Sequence, residues 1–367
     1  MNTRKNAMEM MWRAISHPRL YRWARKFDEK SLFSFRFSGP DMIIIEPTNR
    51  CNIRCIMCGR TYFKTPQGDM DIKLYSKILD QIRIPLGIFH FGLGEPLLHP
   101  DIVEMIRIAR RKGMHPSIIT NGTILTPEMS RDLIRAGITS IGISLDAPTK
   151  KGFEYVRPGA HFETVVRNIA DLVRIRAELE GEKPLIWVLA VPMMTNIRGF
   201  PELARMVKEL GVDYFEVQRF ELACQPGETD KIPGGLVEED PFSEENRDVT
   251  IEVFKELDEF SIRENFEIKK PPPLGNLLYR SPFRCMMPYT YPVITWQGYL
   301  MPCFRFWDPR EINMGSLCEK PFFTLWNGEP YRRFREALLS ESPHPQCKSC
   351  RMFYGISQLW DEYAPVL

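Results

Sequence analysis

Between residues 42 and 220 the chain alternates short apolar runs with longer amphipathic segments. The apolar runs are Met42–Pro47, Ile88–Leu93, Pro116–Thr120, Ser140–Leu145, Leu185–Val191 and Tyr214–Phe220. They are rich in β-branched residues, and polar positions do not alternate with apolar ones. That pattern predicts strands buried on both faces. Between them, helical spacing predicts helices near 71–83, 100–113, 127–136, 164–179 and 199–210. Their starts carry cap or turn chemistry: Asp71, Pro100-Asp101, Thr126-Pro127-Glu128 and Gly199-Phe200-Pro201-Glu202. Strand–helix alternation of this kind predicts an α/β fold with a parallel sheet flanked by helices. The six βα units counted here fall short of the eight of a closed barrel. The expectation is a partial, TIM-like (β/α)6 barrel.

The flanks read differently. Residues 1–38 are basic and amphipathic, with Met8, Met11, Trp12 and Ile15 at helical spacing and Leu20, Trp23 and Phe27 extending the stripe. Such a helix either docks on the body of the protein, the favoured reading, or lies on a membrane or over a lipid-like substrate. Residues 222–242 read as a long loop, a polar helix is expected at 243–262, and Lys269-Lys270-Pro271-Pro272-Pro273 makes a stiff breaker. The expected division is an extension at 1–38, the barrel at 39–222, a linker loop and helix at 223–273, and a small domain at 274–367.

Charge adds little: 49 basic against 47 acidic residues give a net +2, which nominates neither nucleic acid nor a membrane. No apolar run is long enough for a spanning helix, and Arg13, His17, Arg19, Arg22, Arg25 and Lys26 interrupt any signal core. A cytoplasmic location is expected, where thiols stay reduced and serve metals or catalysis. The cysteines then matter most. Nine is an odd number, so disulfides within one chain cannot account for all of them.

Three cysteines stand in Cys51-Asn52-Ile53-Arg54-Cys55-Ile56-Met57-Cys58, directly after the first strand. Three thiolates at C-x3-C-x2-C can hold three irons of a four-iron cluster and leave the fourth open for a substrate or cofactor. Zinc would want four closed ligands, and no fourth Cys or His sits nearby at a zinc-like spacing. The triplet resembles the signature of the radical S-adenosylmethionine (SAM) superfamily. Gly92-Leu93-Gly94-Glu95-Pro96 looks like that family's Gly-Gly-Glu-Pro motif, with Leu93 as a departure. The resemblance implies that Gly94, Glu95 and Pro96 meet the methionine amino group of SAM. It implies that Met57 lies beside the adenine and that Arg157, in Tyr155-Val156-Arg157-Pro158-Gly159, meets the methionine carboxylate. Asn121, in Thr120-Asn121-Gly122, and Ser144 and Asp146, in Ser144-Leu145-Asp146, are implied near the ribose or the substrate.

A second group follows the breaker. Cys285, Gly298, Cys303 and the pair Cys347-Lys348-Ser349-Cys350 form C-x12-G-x4-C … C-x2-C. This resembles the SPASM or twitch extension of radical SAM enzymes. So do Met314-Gly315-Ser316-Leu317, Thr324-Leu325-Trp326-Asn327 and Tyr331-Arg332-Arg333-Phe334-Arg335. The implied cofactors are two 4Fe–4S clusters and SAM, with Cys285, Cys303, Cys347 and Cys350 holding the auxiliary cluster. Zinc on the same four thiolates is the chemical alternative. Cys224 and Cys318 remain, each either an inert small hydrophobe or a hydrogen-atom donor to a substrate radical. Tyr289, Tyr291, Trp296, Phe304, Phe306 and Trp307 surround Cys303 in sequence and are expected to pack the small domain, without a basic patch for nucleic acid.

The resemblance implies reductive cleavage of SAM to a 5′-deoxyadenosyl radical, which takes hydrogen from a C–H bond. An external one-electron reductant of the flavodoxin or ferredoxin type is the implied partner. The residues ahead of Met42 are too few for a peptide-binding domain. The expected substrate is therefore a small molecule such as a sugar or cyclitol, undergoing oxidation or epimerisation. A peptide or protein side chain and a lipid are the alternatives within the enzyme reading. A non-catalytic iron–sulfur or zinc-binding electron-transfer protein is the alternative of another class.

Overall fold

The computed structural model describes residues 40, 42–62, 65–82, 87–179, 183–220, 235–271, 285, 287–340, 342–348 and 350. The amphipathic stretch at 1–38 and Cys224 lie outside the described residues. The expected strands form as β1 (Met42–Ile45), β2 (Gly87–His90), β3 (His115–Thr120), β4 (Ser140–Ser144), β5 (Leu185–Ala190) and β6 (Tyr214–Val217). Helices α1 (Ile72–Asp80), α2 (Ile102–Arg111), α3 (Pro127–Ala136), α4 (Lys150–Val156), α5 (Phe162–Glu178) and α6 (Phe200–Glu209) connect them. All six strands run parallel, each paired with its sequence neighbour. The sheet is open, with these strands in the order β6-β5-β4-β3-β2-β1, and the fold is the expected partial barrel.

Local chemistry fixes the helix starts. Asp71 accepts the N–H groups of Lys73 and Leu74, and Thr126 that of Met129, ahead of Pro127 at the first helical position. One stripe of each helix is buried: in α2 it is Ile102, Met105, Ile106, Ile108 and Ala109. Each large apolar side chain buried in this way contributes about 1.5–3 kcal/mol. The strands' two faces differ. Ile43, Ile45, Ile88, Ile118, Ile141, Ile143, Ile186, Val188 and Phe215 are fully buried, and Phe215 meets Phe200 of α6 edge-on at 6.0 Å between centroids. The alternate positions include Phe89, Gly142, Trp187 and Tyr214. Trp187 stacks on Tyr214 at 5.6 Å and meets Phe89 edge-on at 6.4 Å. A Cβ at Gly142 would lie 2.5 Å from the Trp187 ring, so only glycine admits this indole.

The helix expected at 243–262 forms as α7 (Arg247–Glu264). Two features exceed the sequence reading. The segment expected as linker also supplies a seventh parallel strand, β7 (Glu267–Lys269), beside β6. The run is too short to stand out from the lysines that follow. The small domain also joins the main sheet. Its strand β8 (Val293–Ile294) pairs parallel with β1, and β9 (Leu300–Met301) pairs antiparallel with β8. Helices α8 (Phe322–Trp326) and α9 (Glu329–Leu339) follow. The Arg335 guanidinium lies 4.0 Å from the Tyr331 ring centroid and 4.1 Å from that of Trp326. It also donates to the carbonyls of Pro288 and Trp326. The aromatic residues Trp326 and Tyr331, with Arg335 over them, are thus part of its core, while Arg332 and Arg333 are exposed. Among the described residues, no helix is long and apolar enough to cross a membrane.

One buried pair gives a pH test. His90 Nδ1 lies 3.0 Å from the Ser117 carbonyl, which only accepts, so the proton sits on Nδ1. Nε2 then accepts from the Tyr75 hydroxyl at 2.8 Å. Burial lowers the His90 pKa to about 4. Between pH 6.5 and 4 the unfolded chain takes up a proton that folded His90 refuses, so stability falls as pH drops through that window. Anaerobic denaturant titrations at several pH values should show this slope, reduced in His90→Gln; an identical slope in the variant would refute the assignment.

Candidate functional site

The parallel sheet brings the C-terminal ends of β1–β4 to one side, and the cysteine loop crosses them. Backbone hydrogen bonds fix that loop on two flanks. Arg54 N–H donates to Pro158 O and Ile56 N–H to Val156 O, both at 3.0 Å, while Glu95 N–H donates to Arg50 O at 2.8 Å. Arg60 Nε holds the Asn49 carbonyl at 2.9 Å, and the Tyr62 hydroxyl holds that of Ile56. Cys55 thereby stands close enough to feel the charges of Cys51 and Cys58, and Cys58 that of Cys51. Met57, also expected here, is buried among them.

The glycines of the second motif answer a steric demand. A Cβ on Gly94 would lie 2.2 Å from Thr48 O and 2.6 Å from Arg50 O. Glu95 is buried and clamps β3. Its carboxylate accepts from Thr120 Oγ1 at 2.6 Å, Asn121 N–H at 2.7 Å and Leu97 N–H at 3.1 Å. Burial raises its pKa, against the pull of those donors and of Arg157. An ionised carboxylate has about four acceptor sites; three are filled by the chain, which leaves room for one ammonium donor. The Asn121 side-chain amide donates to the Asn52 side-chain oxygen Oδ1 at 3.0 Å and lies 3.9 Å from the Cys51 sulfur.

Arg157 ends α4 and forms a buried ion pair with Asp146, which follows β4. Asp146 also accepts the Val191 N–H at 2.8 Å, and Arg157 Nη1 lies 3.5 Å from the Cys55 sulfur. Burial opposes the guanidinium charge, but Asp146 and Cys55 outweigh it and its pKa rises. Ser144, at the end of β4, is buried alongside. The structure therefore gathers Met57, Gly94, Glu95, Pro96, Asn121, Ser144, Asp146 and Arg157 at adjacent strand ends with the three thiols. Sequence reading missed Asn52 and the Thr120 hydroxyl as parts of this network. The only signal for them was their adjacency to Cys51 and Asn121.

The second group also converges. Cys285, Cys303, Cys347 and Cys350 line one small pocket, with Phe304, Phe306 and Phe334 among its walls. Cys303 feels the charges of the other three. Cys318 stays apart: it is exposed, and its thiol lies 3.8 Å from the Gln297 carbonyl, outside both thiol groups.

The donor chemistry fits clusters. Sulfur receives the N–H two residues ahead at Cys51, Cys58, Cys285 and Cys303. Hydrogen bonds to sulfur are among the groups that tune iron–sulfur centres. Burial pushes Cys55, Cys285 and Cys347 up to about 12, the opposite of a free nucleophilic thiolate.

Sequence profiles match at two places: the Radical SAM superfamily over residues 45–180, and the SPASM iron–sulfur cluster-binding domain over residues 285–351. The tungsten-containing aldehyde ferredoxin oxidoreductase cofactor-modifying protein of Pyrococcus furiosus is 28% identical over 334 residues, 84% of this chain and 87% of the relative. The PqqA peptide cyclase of Gluconobacter oxydans is 28% identical over 190 residues, 49% of each chain. The structure of Streptococcus suis SuiB bound to S-adenosylmethionine superposes with a TM-score of 0.67 at 17% identity, covering 96% of this chain and 82% of that one. This last is a likeness of fold.

Gly94→Ala should keep its iron yet bind SAM about tenfold more weakly or worse, because the motif must leave the cysteine loop. Equilibrium dialysis with labelled SAM and iron analysis of the same sample would check both; wild-type affinity would show that the close approach is dispensable.

Proposed function

We propose that this chain, which belongs to the radical SAM superfamily and carries a SPASM iron–sulfur domain, abstracts a hydrogen atom from a C–H bond of a peptide side chain. Its cofactors are a SAM-binding 4Fe–4S cluster, an auxiliary cluster and SAM. The observation that carries the chemistry is the convergence of three thiols, Glu95 and the Arg157–Asp146 pair at adjacent strand ends. When bound, the first cluster and SAM together supply a 5′-deoxyadenosyl radical.

The chain's own residues bind and orient. Cys51, Cys55 and Cys58 hold three irons and leave one open. The free acceptor site of Glu95 suits an ammonium group, and Arg157 suits a carboxylate. Ser144, Asn121 and Met57 are the further residues we assign to SAM or substrate. Cys285, Cys303, Cys347 and Cys350 close the auxiliary site, which suits it to passing an electron. Cys224 and Cys318 stand as candidate hydrogen-atom donors. The exposed position of Cys318 on the small domain makes it the weaker of the two.

The peptide substrate is supported by the PqqA peptide cyclase, whose match covers about half of this chain. It replaces the sugar or cyclitol expected from sequence. A cofactor-sized molecule is the second reading, favoured by the cofactor-modifying relative that aligns over 84% of this chain.

Anaerobically reconstituted protein should carry roughly eight irons, four per cluster, and with dithionite and SAM should release 5′-deoxyadenosine. Cys347→Ala should retain only about half of that iron. No 5′-deoxyadenosine from protein bearing both clusters would overturn the enzymatic reading. Offered peptides encoded beside the gene, the enzyme should return one with hydrogen removed, detected by mass spectrometry; turnover of a small-molecule extract alone would favour the second reading.

A further inference from the structure

Glu46 follows β1 directly and is 2% exposed. Its two carboxylate oxygens serve two domains. One accepts the Leu93 N–H at 3.1 Å, inside the Gly92–Pro96 motif, and the other accepts the Trp296 N–H at 3.3 Å, in the turn between β8 and β9. The Glu46 N–H donates to Ile294 O at 2.9 Å, so its backbone is bound to the small domain as well. The motif is shaped to receive this side chain: a Cβ on Gly92 would lie 2.5 Å from Glu46 Cγ and 2.7 Å from Oε1. Opposite it, the Trp296 ring fills the space beside Gly68, where a Cβ would lie 2.4 Å from the ring. Gly68 is in turn bound to the approach to the cysteine loop, through Thr48 Oγ1 at 3.0 Å and Asn49 Oδ1 at 2.9 Å. On the far side of the turn, β9 ends two residues before Cys303.

We propose that Glu46 is a positioning residue that couples the two domains, so that seating SAM on the Gly92–Pro96 motif and docking the β8–β9 hairpin of the auxiliary domain stabilise each other. The proposal rests on the radical SAM reading. A buried carboxyl facing two backbone donors is worth most when both bonds form together, because losing one leaves an oxygen unsatisfied away from water. Burial lifts the Glu46 carboxyl to about 7, and the two N–H groups are what lower it. The coupling is reciprocal: whatever tightens the motif must tighten the hairpin by the same free energy.

Hydrogen exchange on the intact holoenzyme with both clusters tests this without a variant. Adding SAM should slow exchange at residues 92–96 and also at 293–301, which SAM is not expected to touch. In Glu46→Ala and Glu46→Gln the iron content should be unchanged and the response at 293–301 lost. SAM affinity should fall about tenfold in the alanine variant and less in the glutamine one, which keeps one acceptor. Protection at 92–96 without any at 293–301 in the native enzyme would overturn the coupling while leaving the radical SAM reading intact. No SAM binding by the native enzyme would instead defeat that reading. If Glu46→Ala fails to fold, the native comparison still decides.

Discussion

A charged group placed in the dry mouth of a parallel sheet must be paired, and the Arg157–Asp146 ion pair is where this fold meets that demand. Removing one partner of such a pair leaves an uncompensated buried charge, worth about 3–5 kcal/mol. Asp146 is fully buried and spends its other oxygen on the Val191 N–H after β5. Arg157 reaches Cys55 from the end of α4. One ion pair thus ties β4, β5, α4 and the cysteine loop together. The backbone bonds from Arg54 and Ile56 to the segment around Arg157 then have fixed acceptors.

Glu95 does the equivalent work on the other side. Its carboxylate is committed to β3 and its own short helix, while its N–H is committed to the cysteine loop. The loop is thus gripped between two buried ionisable groups of opposite sign, Glu95 and Arg157, each with capacity to spare. A ligand bearing both an ammonium and a carboxylate, as the methionine half of SAM does, matches that residual charge pattern. The specificity lies in what the protein leaves unsatisfied, after its own structure has used most of each group.

Much of this was legible in the sequence because it rests on local pattern. Continuous apolar runs gave six strands, caps gave helix starts, and cysteine spacing gave both clusters. What was not legible depends on pairing between distant segments. The β1–β8 pairing joins residues about 250 positions apart through two short strands, and β7 is a three-residue strand beside a proline run. Neither has a length or periodicity that separates it from loop. Glu46 was hidden for the same reason: it lies inside the run Met42–Pro47, and both groups its carboxylate binds, the Leu93 and Trp296 N–H groups, are distant in the chain. Asp146 and Arg157 were visible as motif members, but not as partners, since their meeting depends on how α4 turns back over β4.

The division of the cysteines now has a physical basis. Six of the seven placed in the two groups carry thiol pKa values raised first of all by burial. Holding them as thiolates requires a cationic partner that the chain supplies only in part, through Arg157 beside Cys55 and Arg60 beside Cys51 and Cys58. Around Cys303 the neighbouring thiols raise the pKa further, so ionised sulfurs there repel one another unless positive charge lies between them. Iron in a cluster provides that charge, and the backbone N–H groups aimed at four of the sulfurs add to it. Cys318 meets none of these conditions. It is exposed beside a carbonyl, and no burial compels it to take a metal. Cys318, exposed and outside both groups, is set apart from the other seven by its place in the fold.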